Sequence, residues 1–239
     1  MPRETLTREQ IVQAAMQLLD TEGLEGLNMR LLGKRLESAA TAVYWHVGSR
    51  ANLVALAADQ AWHGLALPDL ATMHWRAAAT LVATELYAML TRHTWVVETF
   101  GSVLPSAPGK FRHDDYNLAL YETAGFSEAQ ATMAASAVFT FVLGNALGAA
   151  AVASLTRKLG SNGRNAGKLM RENLAKARAS AKQFPRLRAR MDTAAAGYGA
   201  VPHNSFEFGL KAMLDGLEAQ LGAPRTTVRQ TKKTRSSKQ

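Results

Sequence analysis

The 239-residue sequence contains no cysteine. This absence excludes a disulfide framework, thiolate catalysis and cysteine-ligated zinc sites. Strand patterns are lacking as well, because apolar residues recur at spacings of three and four and do not alternate with polar ones. Only 20% of the residues are charged and 47% are hydrophobic, which is too apolar for a disordered chain and enough for one or two buried cores. The sequence therefore predicts an all-α globular protein.

Targeting signals are also missing. The N-terminal residues MPRETLTREQ lack the apolar run of a signal peptide, and we therefore expect a cytoplasmic protein. Residues 129–156 carry no charge and are long enough to cross a membrane. They are rich in alanine and interspersed with polar residues, however, and only residues 138–143 are strongly apolar. This composition favours a buried helix of a soluble protein, with no membrane contact.

Positive charge is concentrated in two segments of a chain whose net charge is +9. Residues 157–190 contain eleven Lys and Arg and one acidic residue, and residues 223–239 contain six Lys and Arg and no acid, whereas residues 1–66 have a net charge of −1. A basic balance of this size indicates an anionic partner, with nucleic acid the first choice. The tail, residues 223–239, has almost no apolar residues; we predict that it is disordered and adds a weak, salt-sensitive attraction to DNA.

The first 66 residues are predicted to form four short helices. Asn28 and Ser49 are predicted N-caps of the second and fourth. The second helix (28–36), a tight turn (37–39) and the third helix (40–46) have the spacing of a helix–turn–helix motif. The predicted domains are accordingly a helix–turn–helix DNA-binding domain (1–66), a helical domain (67–222) and the tail (223–239).

The third helix carries Tyr44, Trp45 and His46 in succession. Val43 and Val47 already supply the inward side of so short a helix, so at least one aromatic side chain is expected to face outward. A helix with this surface suits the recognition helix of a helix–turn–helix motif, which enters the major groove of DNA. The alternative is that Tyr44 and Trp45 belong to the core of a small helical domain.

Several stretches resemble the TetR family of bacterial repressors, with the tetracycline-repressor subgroup nearest in pattern. The DNA-binding domain of that family is similar to GLEGLNMRLLGKRL and AVYWHVGSRANLVALA. Its long core helix is similar to ETAGFSEAQATMAASAVFTFVLGNALG, and its dimerisation helix is similar to PHNSFEFGLKAMLDGLEAQL. The resemblance implies an all-α homodimer that binds a palindromic operator and represses transcription until a small molecule binds its C-terminal domain.

Carried over by position, the resemblance implies DNA contacts from helices two and three and from the start of helix four. The residues at these positions are Met29, Arg30, Ala40, Thr41, Ala42, Tyr44, Trp45, His46 and Arg50. Arginine suits base edges and phosphates, and tyrosine and histidine suit phosphates. The chain departs from the family pattern at Glu37, where the turn normally has glycine, and at Ala40 and Ala42, which replace polar base-reading residues. We therefore do not expect this chain to recognise the operator sequence of the tetracycline-repressor subgroup.

The same resemblance places a small-molecule effector in the helical domain. The residues predicted to bind it are His63, Val82, Leu86, Trp95, Phe100, Tyr116 and Phe139. His63 lies late in helix four, which would link the ligand site to the DNA-binding domain. The subgroup has polar and aromatic drug contacts where this chain has Val82 and Leu86, and its histidine-containing metal-binding loop has no counterpart near residues 98–104. We therefore predict neither a metal nor a cofactor, and aromatic residues at helical spacing are also ordinary core residues.

The basic segment 157–190 has two interpretations. It is either a solvated surface segment or a positive rim over the mouth of the ligand site, which would favour an anionic ligand. Charge reversal at Lys168, Arg171 and Lys176 distinguishes the two.

A homodimer is expected to form through helices near residues 127–155 and 203–221, arranged as a four-helix bundle. Close approach is allowed by Ala135, Gly144 and Gly148, and apolar area comes from Phe208, Leu210, Leu214, Leu217 and Leu221. The alternative is that both helices serve only the core of the monomer.

The alternative hypothesis from another functional class is that the protein is an enzyme. The His–carboxylate clusters are residues 113–115 and the pair Asp69 and His74, and adjacent residues on a helix do not face one another. The sequence contains no Gly-rich phosphate loop, zinc-binding histidine pair or nucleophile elbow, so we predict no enzymatic activity. A further alternative is a DNA-binding protein that is insensitive to ligands or binds non-specifically through its basic tail.

Overall fold

The computed structural model describes residues 6–100, 107–161, 166–189 and 203–221. This part of the chain is helical and contains no strand, as the apolar spacing predicts. Its helices, numbered in chain order, are α1 (Arg8–Gly26), α2 (Met29–Arg35), α3 (Ala40–Val47), α4 (Arg50–His63), α5 (Trp75–Arg92), α6 (Thr94–Thr99), α7 (Pro108–Thr123), α8 (Glu128–Ser161), α9 (Ala166–Ala181), α10 (Pro185–Arg188) and α11 (His203–Leu221). The tail that is predicted to be disordered, residues 223–239, lies outside the described residues.

Helices α1 to α4 form an N-terminal unit that we call the head. The Asn28 side chain caps α2 by accepting hydrogen bonds from the N–H groups of Arg30 and Leu31, at 2.9 and 3.3 Å. Ser49 caps α4 by accepting from the N–H of Asn52 at 3.0 Å. Both predicted N-caps are therefore confirmed. The centre of the head is apolar and fully buried, and it includes Ile11, Leu32, Val43 and Leu53.

The turn between α2 and α3 has a special backbone. Its Glu37 has a φ of 50°, in the left-handed region that residues other than glycine and asparagine rarely adopt. The Ser38 N–H donates to the Gly33 carbonyl at 2.9 Å, and a Cβ on Gly33 would lie 2.8 Å from the Ser38 carbonyl oxygen. Glycine adopts such a φ freely, whereas Glu37 adopts it at a conformational cost.

Helices α5 to α11 form the body, and α8 is its longest helix. It packs against α5, α6 and α7. It continues to Ser161, past the predicted end near residue 155. Val142 and Ala146 are fully buried on one side, whereas Met133 and Leu147 are 62% and 54% exposed on another. The prediction of a buried helix therefore holds for one side of α8 only.

Within the described part of the chain, Glu128–Lys158 is the one helical stretch whose length and composition would allow it to cross a membrane. Only 22% of its most apolar window is buried inside the chain. A helix that is covered by a second protein chain has the same properties, so this observation alone does not indicate a membrane span.

Helix α11 packs against α5 and α8. Leu210 and Leu214 are 3% and 1% exposed, so they belong to the core of the monomer and do not supply exposed apolar area for the predicted dimer. Leu217 and Leu221 are partly buried against the same core. Phe208, in contrast, is 76% exposed and remains available for another chain.

Head and body meet through α1 and α4. Asp20 of α1 accepts a hydrogen bond from Trp95 Nε1 at 2.7 Å, and His93 Nδ1 lies 2.7 Å from the same carboxylate oxygen. Helix α4 packs along α7. The head is therefore connected to the body both by polar contacts of α1 and by packing of α4.

Candidate DNA-binding surface and ligand cavity

Helix α3 presents an aromatic face to solvent. Trp45 is 82% exposed and Tyr44 is 44% exposed, whereas Val43 and Val47 are buried. The two valines fill the inward positions as predicted, and the interpretation of Trp45 as a core residue is wrong. His46 is half-buried and meets the Trp45 ring edge-on, with ring centroids 4.8 Å apart. Tyr44 and Trp45 together therefore make the outer face of α3 a candidate interaction surface.

Residues from three helices of the head meet in one groove beside this face. The groove has a volume of about 430 Å³ and is lined by Leu27, Asn28, Met29, Arg30, Ala40, Tyr44 and Arg50. Met29 is only 6% exposed and contributes apolar packing more than free surface. The structure thus brings together five of the nine residues that the sequence predicts to contact DNA. Of the other four, Thr41 and Trp45 are exposed on α3, and Ala42 and His46 are partly buried.

Arg50 already has hydrogen-bond partners within the head. Its Nε donates to the Leu27 carbonyl at 3.0 Å, and a second guanidinium nitrogen donates to the Leu24 carbonyl. These bonds connect the start of α4 to the end of α1. Arg50 is therefore a structural residue of the head, and a DNA contact would require it to share or exchange these bonds. Arg30 is exposed at the start of α2.

The start of α3 differs from the starts of α2 and α4. Its N-cap residue is Ala39, which makes no side-chain hydrogen bond to the first turn, whereas Asn28 and Ser49 cap the other two helices. The first N–H groups of a helix point along its axis and attract anions when no side chain caps them. The N-terminus of α3 is therefore suited to an anionic group such as phosphate.

A cavity of about 210 Å³ lies in the body between α5, α7 and α8. Its apolar wall consists of Val82, Ala83, Leu86, Leu118, Ala135, Val138, Phe139 and Val142. Its polar wall consists of Lys110, His113, Asp114 and Asn117 from α7 and of Thr132 and Ser136 from α8. An apolar cavity with a few convergent polar groups is typical of a small-molecule site.

Lys110 and Asp114 form an ion pair in the polar wall. The Lys110 Nζ lies 2.5 Å from each carboxylate oxygen, 4.6 Å from the ring centroid of Phe139 and 5.4 Å from that of Trp62. The Lys110 side chain is 10% exposed and that of Asp114 is 46% exposed. Burial works against ionisation of Asp114, but interactions with His113 and Lys110 outweigh it, so the pKa of Asp114 lies below its usual value. The carboxylate is therefore ionised at neutral pH.

The structure places three of the seven predicted ligand residues in the cavity wall, namely Val82, Leu86 and Phe139. The other four have different environments. Tyr116 donates from its hydroxyl to the Pro68 carbonyl at 2.6 Å, and Trp95 is fully buried against Asp20. Phe100 and His63 are also outside the wall. These four residues therefore do not line this cavity, and their contact with a ligand stays a prediction.

Sequence reasoning missed the polar residues of α7. Lys110, His113, Asp114 and Asn117 are spaced i, i+3, i+4 and i+7, which places all four on one face of a helix. In this helix the sequence analysis considers only the adjacent residues 113–115, and it rejects them as a metal or acid–base site. The periodic spacing was the available signal, and Lys110 and His113 are 8% and 3% exposed.

Two predictions about neighbouring features can be compared with the structure. Where their side chains are described, the residues of α9 and α10 do not line the cavity, so the structure gives no support to a positive rim over its mouth. Among the described residues there is also no group of three or more His, Asp or Glu side chains that could hold a metal ion.

Comparison with known protein families gives a match over most of the body. Residues 67–221 match the family described as "Tetracyclin repressor-like, C-terminal domain". A curated "HTH-type transcriptional regulator" of Saccharopolyspora erythraea is 32% identical over 140 residues, which span 59% of each chain. The "HTH-type transcriptional repressor DrrR1" of Streptomyces coeruleorubidus is 28% identical over 218 residues, or 91% of this chain and 79% of that protein.

Solved structures share the fold over nearly the whole chain. ActR of Streptomyces coelicolor, a TetR family protein solved in complex with actinorhodin, has a TM-score of 0.66 and 24% identity over 92% of this chain and 100% of its own. A possible TetR family transcriptional regulator from Streptomyces coelicolor has a TM-score of 0.68 and 26% identity over 89% and 99%. BioQ, solved with its double-stranded DNA operator, has a TM-score of 0.58 and 21% identity over 90% and 99%.

Proposed function

The chain belongs to the family of tetracycline-repressor-like transcriptional regulators, and on that premise we propose that it represses transcription by binding a palindromic operator as a homodimer. A small molecule bound in the cavity of the body releases it from DNA. Regulators of this family are DNA-binding transcription factors without enzymatic activity. The observation that carries the proposal is the exposed aromatic face of α3, where Trp45 is 82% exposed. The protein acts in the cytoplasm, together with the DNA that it binds.

In the proposed complex α3 enters the major groove. Trp45 and Thr41 face the DNA from the exposed side of α3, and Ala40 and Ala42 offer only apolar contacts, for example to a thymine methyl group. Arg30 reaches a base edge or a phosphate, and the hydroxyl of Tyr44 donates to a phosphate. The net charge of −1 in residues 1–66 means that these placed contacts, and not a basic surface, supply the specific affinity.

The proposed dimer covers the exposed apolar side of α8 together with α11. Leu147, Val152 and Leu155 of α8 are 54%, 44% and 43% exposed, and Phe208 of α11 is 76% exposed. A Cβ on Gly144 would have no atom within 4 Å, which leaves space for a second helix to approach closely. A two-fold axis through this surface would make a four-helix bundle and would present two α3 helices about 34–36 Å apart, one turn of DNA.

The oligomeric state tests the dimer directly. Leu147→Glu places a charge in the proposed interface and should convert a dimer into a monomer in analytical ultracentrifugation, with loss of operator affinity. Phe184→Glu is the matched control, because Phe184 is 57% exposed outside α8 and α11. A wild-type chain that sediments as a monomer at micromolar concentration would contradict the proposal.

The contacts between α4 and α7 support coupling of the cavity to the head. The Gly109 N–H donates to the Asp59 carboxylate at 2.7 Å. One guanidinium nitrogen of Arg112 donates to the carbonyls of His63 and Leu65, at 3.0 Å each. Helix α7 thus holds the C-terminal end of α4 and also supplies the polar wall of the cavity. A ligand that shifts α7 would move α4 and, with it, the head, so that ligand and operator weaken each other's binding.

The test is binding to the DNA upstream of the protein's own gene, compared with scrambled DNA of the same length. At physiological salt we expect a preference of about 10³-fold or more for the specific site. Equal affinity for both DNAs, with a steep loss of affinity in added salt, would instead identify a non-specific binder that uses the basic tail. A compound panel repeated on the specific complex then tests release by a small molecule.

A further inference from the structure

We infer that the effector of the body cavity is a compact aromatic anion, whose carboxylate or other acidic oxygen replaces the Asp114 carboxylate beside the ammonium group of Lys110. This inference rests on the proposed function and specifies the chemistry of its ligand. It follows from the unequal burial of the two partners of one ion pair.

Lys110 cannot leave its place at low cost. Its side chain is 10% exposed, and its Nζ lies over the ring of Phe139 at 4.6 Å and over that of Trp62 at 5.4 Å. The faces of aromatic rings attract a cation but do not neutralise its charge. A buried ammonium group requires an anionic partner, because an unpaired charge in an apolar environment is strongly unfavourable. Some carboxylate must therefore remain beside Lys110 in every state of the site.

Asp114, in contrast, can leave. Its side chain is 46% exposed and lies at the edge of the polar wall. A carboxylate that rotates from this position into water regains its hydration, and an incoming anion then takes its place beside Lys110. The anion beside Lys110 is therefore exchangeable, whereas the cation is not.

The remainder of the cavity determines the shape of the ligand. Val82, Leu86, Val138 and Val142 line the same cavity as the ion pair and make part of its wall apolar. An engineered protein cavity of roughly 150 Å³ binds benzene, and the cavity of about 210 Å³ is larger than that. A small fused aromatic ring with one acidic group thus satisfies both walls. Ser136 also lines the cavity and offers a hydroxyl to a second oxygen of such a ligand, whereas the Asn117 amide already donates to the His113 carbonyl at 2.7 Å.

An amine ligand that pairs with Asp114 is the competing possibility. It would leave the Lys110–Asp114 pair intact and would place a second cation beside Lys110, which disfavours it by repulsion. The two possibilities predict opposite effects of one substitution. Asp114→Asn removes an internal competitor of an anion, whereas it removes the binding partner of a cation.

The experiment uses three probes of one shape, measured by isothermal titration calorimetry on the full-length chain. The probes are 2-naphthoate, the neutral 2-naphthamide and the cationic 2-naphthylmethylamine. We expect wild-type protein to bind 2-naphthoate about tenfold or more tightly than 2-naphthamide, since hydrogen bonds to charged groups are the stronger ones. Lys110→Met should reduce this ratio to within about twofold, and Asp114→Asn should raise the affinity for 2-naphthoate by about two- to fivefold.

A second Lys–Asp pair in the chain provides a matched control. Lys211 and Asp215 on α11 have the same i, i+4 spacing, with Nζ 2.8 Å from the carboxylate, and the Lys211 side chain is 73% exposed. Lys211→Met leaves Asp215 paired with Arg76 and should leave the affinities for all three probes unchanged. Thermal denaturation of each variant shows whether the chain is folded before titration.

The inference is overturned if 2-naphthamide binds as tightly as 2-naphthoate, if Asp114→Asn weakens 2-naphthoate binding, or if none of the probes binds up to its solubility limit. The proposed function has a separate test, because operator binding is measured without any probe. Wild-type protein that binds its operator but does not bind the three probes as expected contradicts only the inference that the ligand is an aromatic anion. Protein that binds the three probes as expected but has no preference for its own upstream DNA contradicts only the proposal that the chain is a repressor.

Discussion

Helices α3 and α7 both carry the polar and aromatic residues of a candidate site, but they present them in opposite ways. On α3 the side chains proposed to act face solvent, and Trp45 is 82% exposed. On α7 they face inward, and Lys110 and His113 are 8% and 3% exposed. The outward-facing residues of α3 can therefore be changed without disturbing the fold, whereas the inward-facing residues of α7 contribute to the core and to the site at once.

The sharpest test of this contrast is Trp45→Ala. We expect operator affinity to fall by about thirtyfold or more, because a lost recognition contact costs about 1–3 kcal/mol and a dimer loses two. The free energy of unfolding should not change, since the side chain is exposed and packs little. Gel-shift titration and urea denaturation measure the two quantities. Phe184→Ala, at an aromatic residue that is 57% exposed outside the head, is the control and should affect neither.

Gly109→Ala tests the opposite case on α7. A Cβ at this position would lie 2.9 Å from the Asp59 carbonyl oxygen and 2.9 Å from the Trp62 Cβ, so α7 must move away from α4. We expect a loss of stability of about 1–3 kcal/mol, and release from DNA by a ligand should weaken as well.

The control for that change is Gly216→Ala on α11, where a Cβ would have no atom within 4 Å. It should be neutral or stabilising by up to about 1 kcal/mol. Equal urea denaturation curves for the Gly109→Ala and wild-type chains would contradict the close contact between α4 and α7.

Glu37→Gly changes the turn that orients α3. It should raise the free energy of unfolding, by less than Gly109→Ala lowers it. Glycine adopts a φ of 50° without the steric cost that a side chain has there. The head should gain about 1 kcal/mol of stability, less the entropy that glycine adds to the unfolded chain. Thermal denaturation measures the gain. Glu37→Ala retains a Cβ and should give none, so an equal gain in both variants would show that backbone strain is not the cause.

The smallest effect is expected for α9, which belongs to neither of the two sites. Reversing the charges of Lys168, Arg171 and Lys176 should change the affinity for 2-naphthoate by less than about twofold, because these exposed residues do not line the cavity and surface charges are screened by salt. Titration calorimetry measures the affinity. A loss of anion binding without loss of operator binding would revive the interpretation of residues 157–190 as a positive rim.

The groove of the head and the cavity of the body also differ in how many of their residues can be predicted from the sequence. The residues of the head that form the groove come from 24 consecutive positions, 27–50, and short helices with clear caps such as Asn28 and Ser49 determine their arrangement. Reading the motif by position therefore brought together Arg30, Ala40 and Tyr44. Arg50 is the exception, since its bonds to α1 depend on how the helices pack.

The cavity draws on residues 82–142 and on three helices, so sequence position says little about which side chains meet there. Aromatic residues of the helical domain are predicted as ligand contacts because small-molecule sites are largely apolar. Trp95 and Tyr116 instead have partners elsewhere in the core, and only Phe139 lines the wall. The polar stripe of α7 could be found by its helical spacing, but its burial could not.

The sequence by itself determined the all-α fold, the helix–turn–helix with at least one outward-facing aromatic residue, and the family, because helix periodicity, caps and short motifs are local properties of the chain. Tertiary structure decided which leucines of α11 face inward, that Arg50 binds α1, and that Lys110 lies buried beside Asp114. These features depend on contacts between residues that are distant along the chain or on the depth at which a helix packs, and neither is encoded in the spacing of one helix.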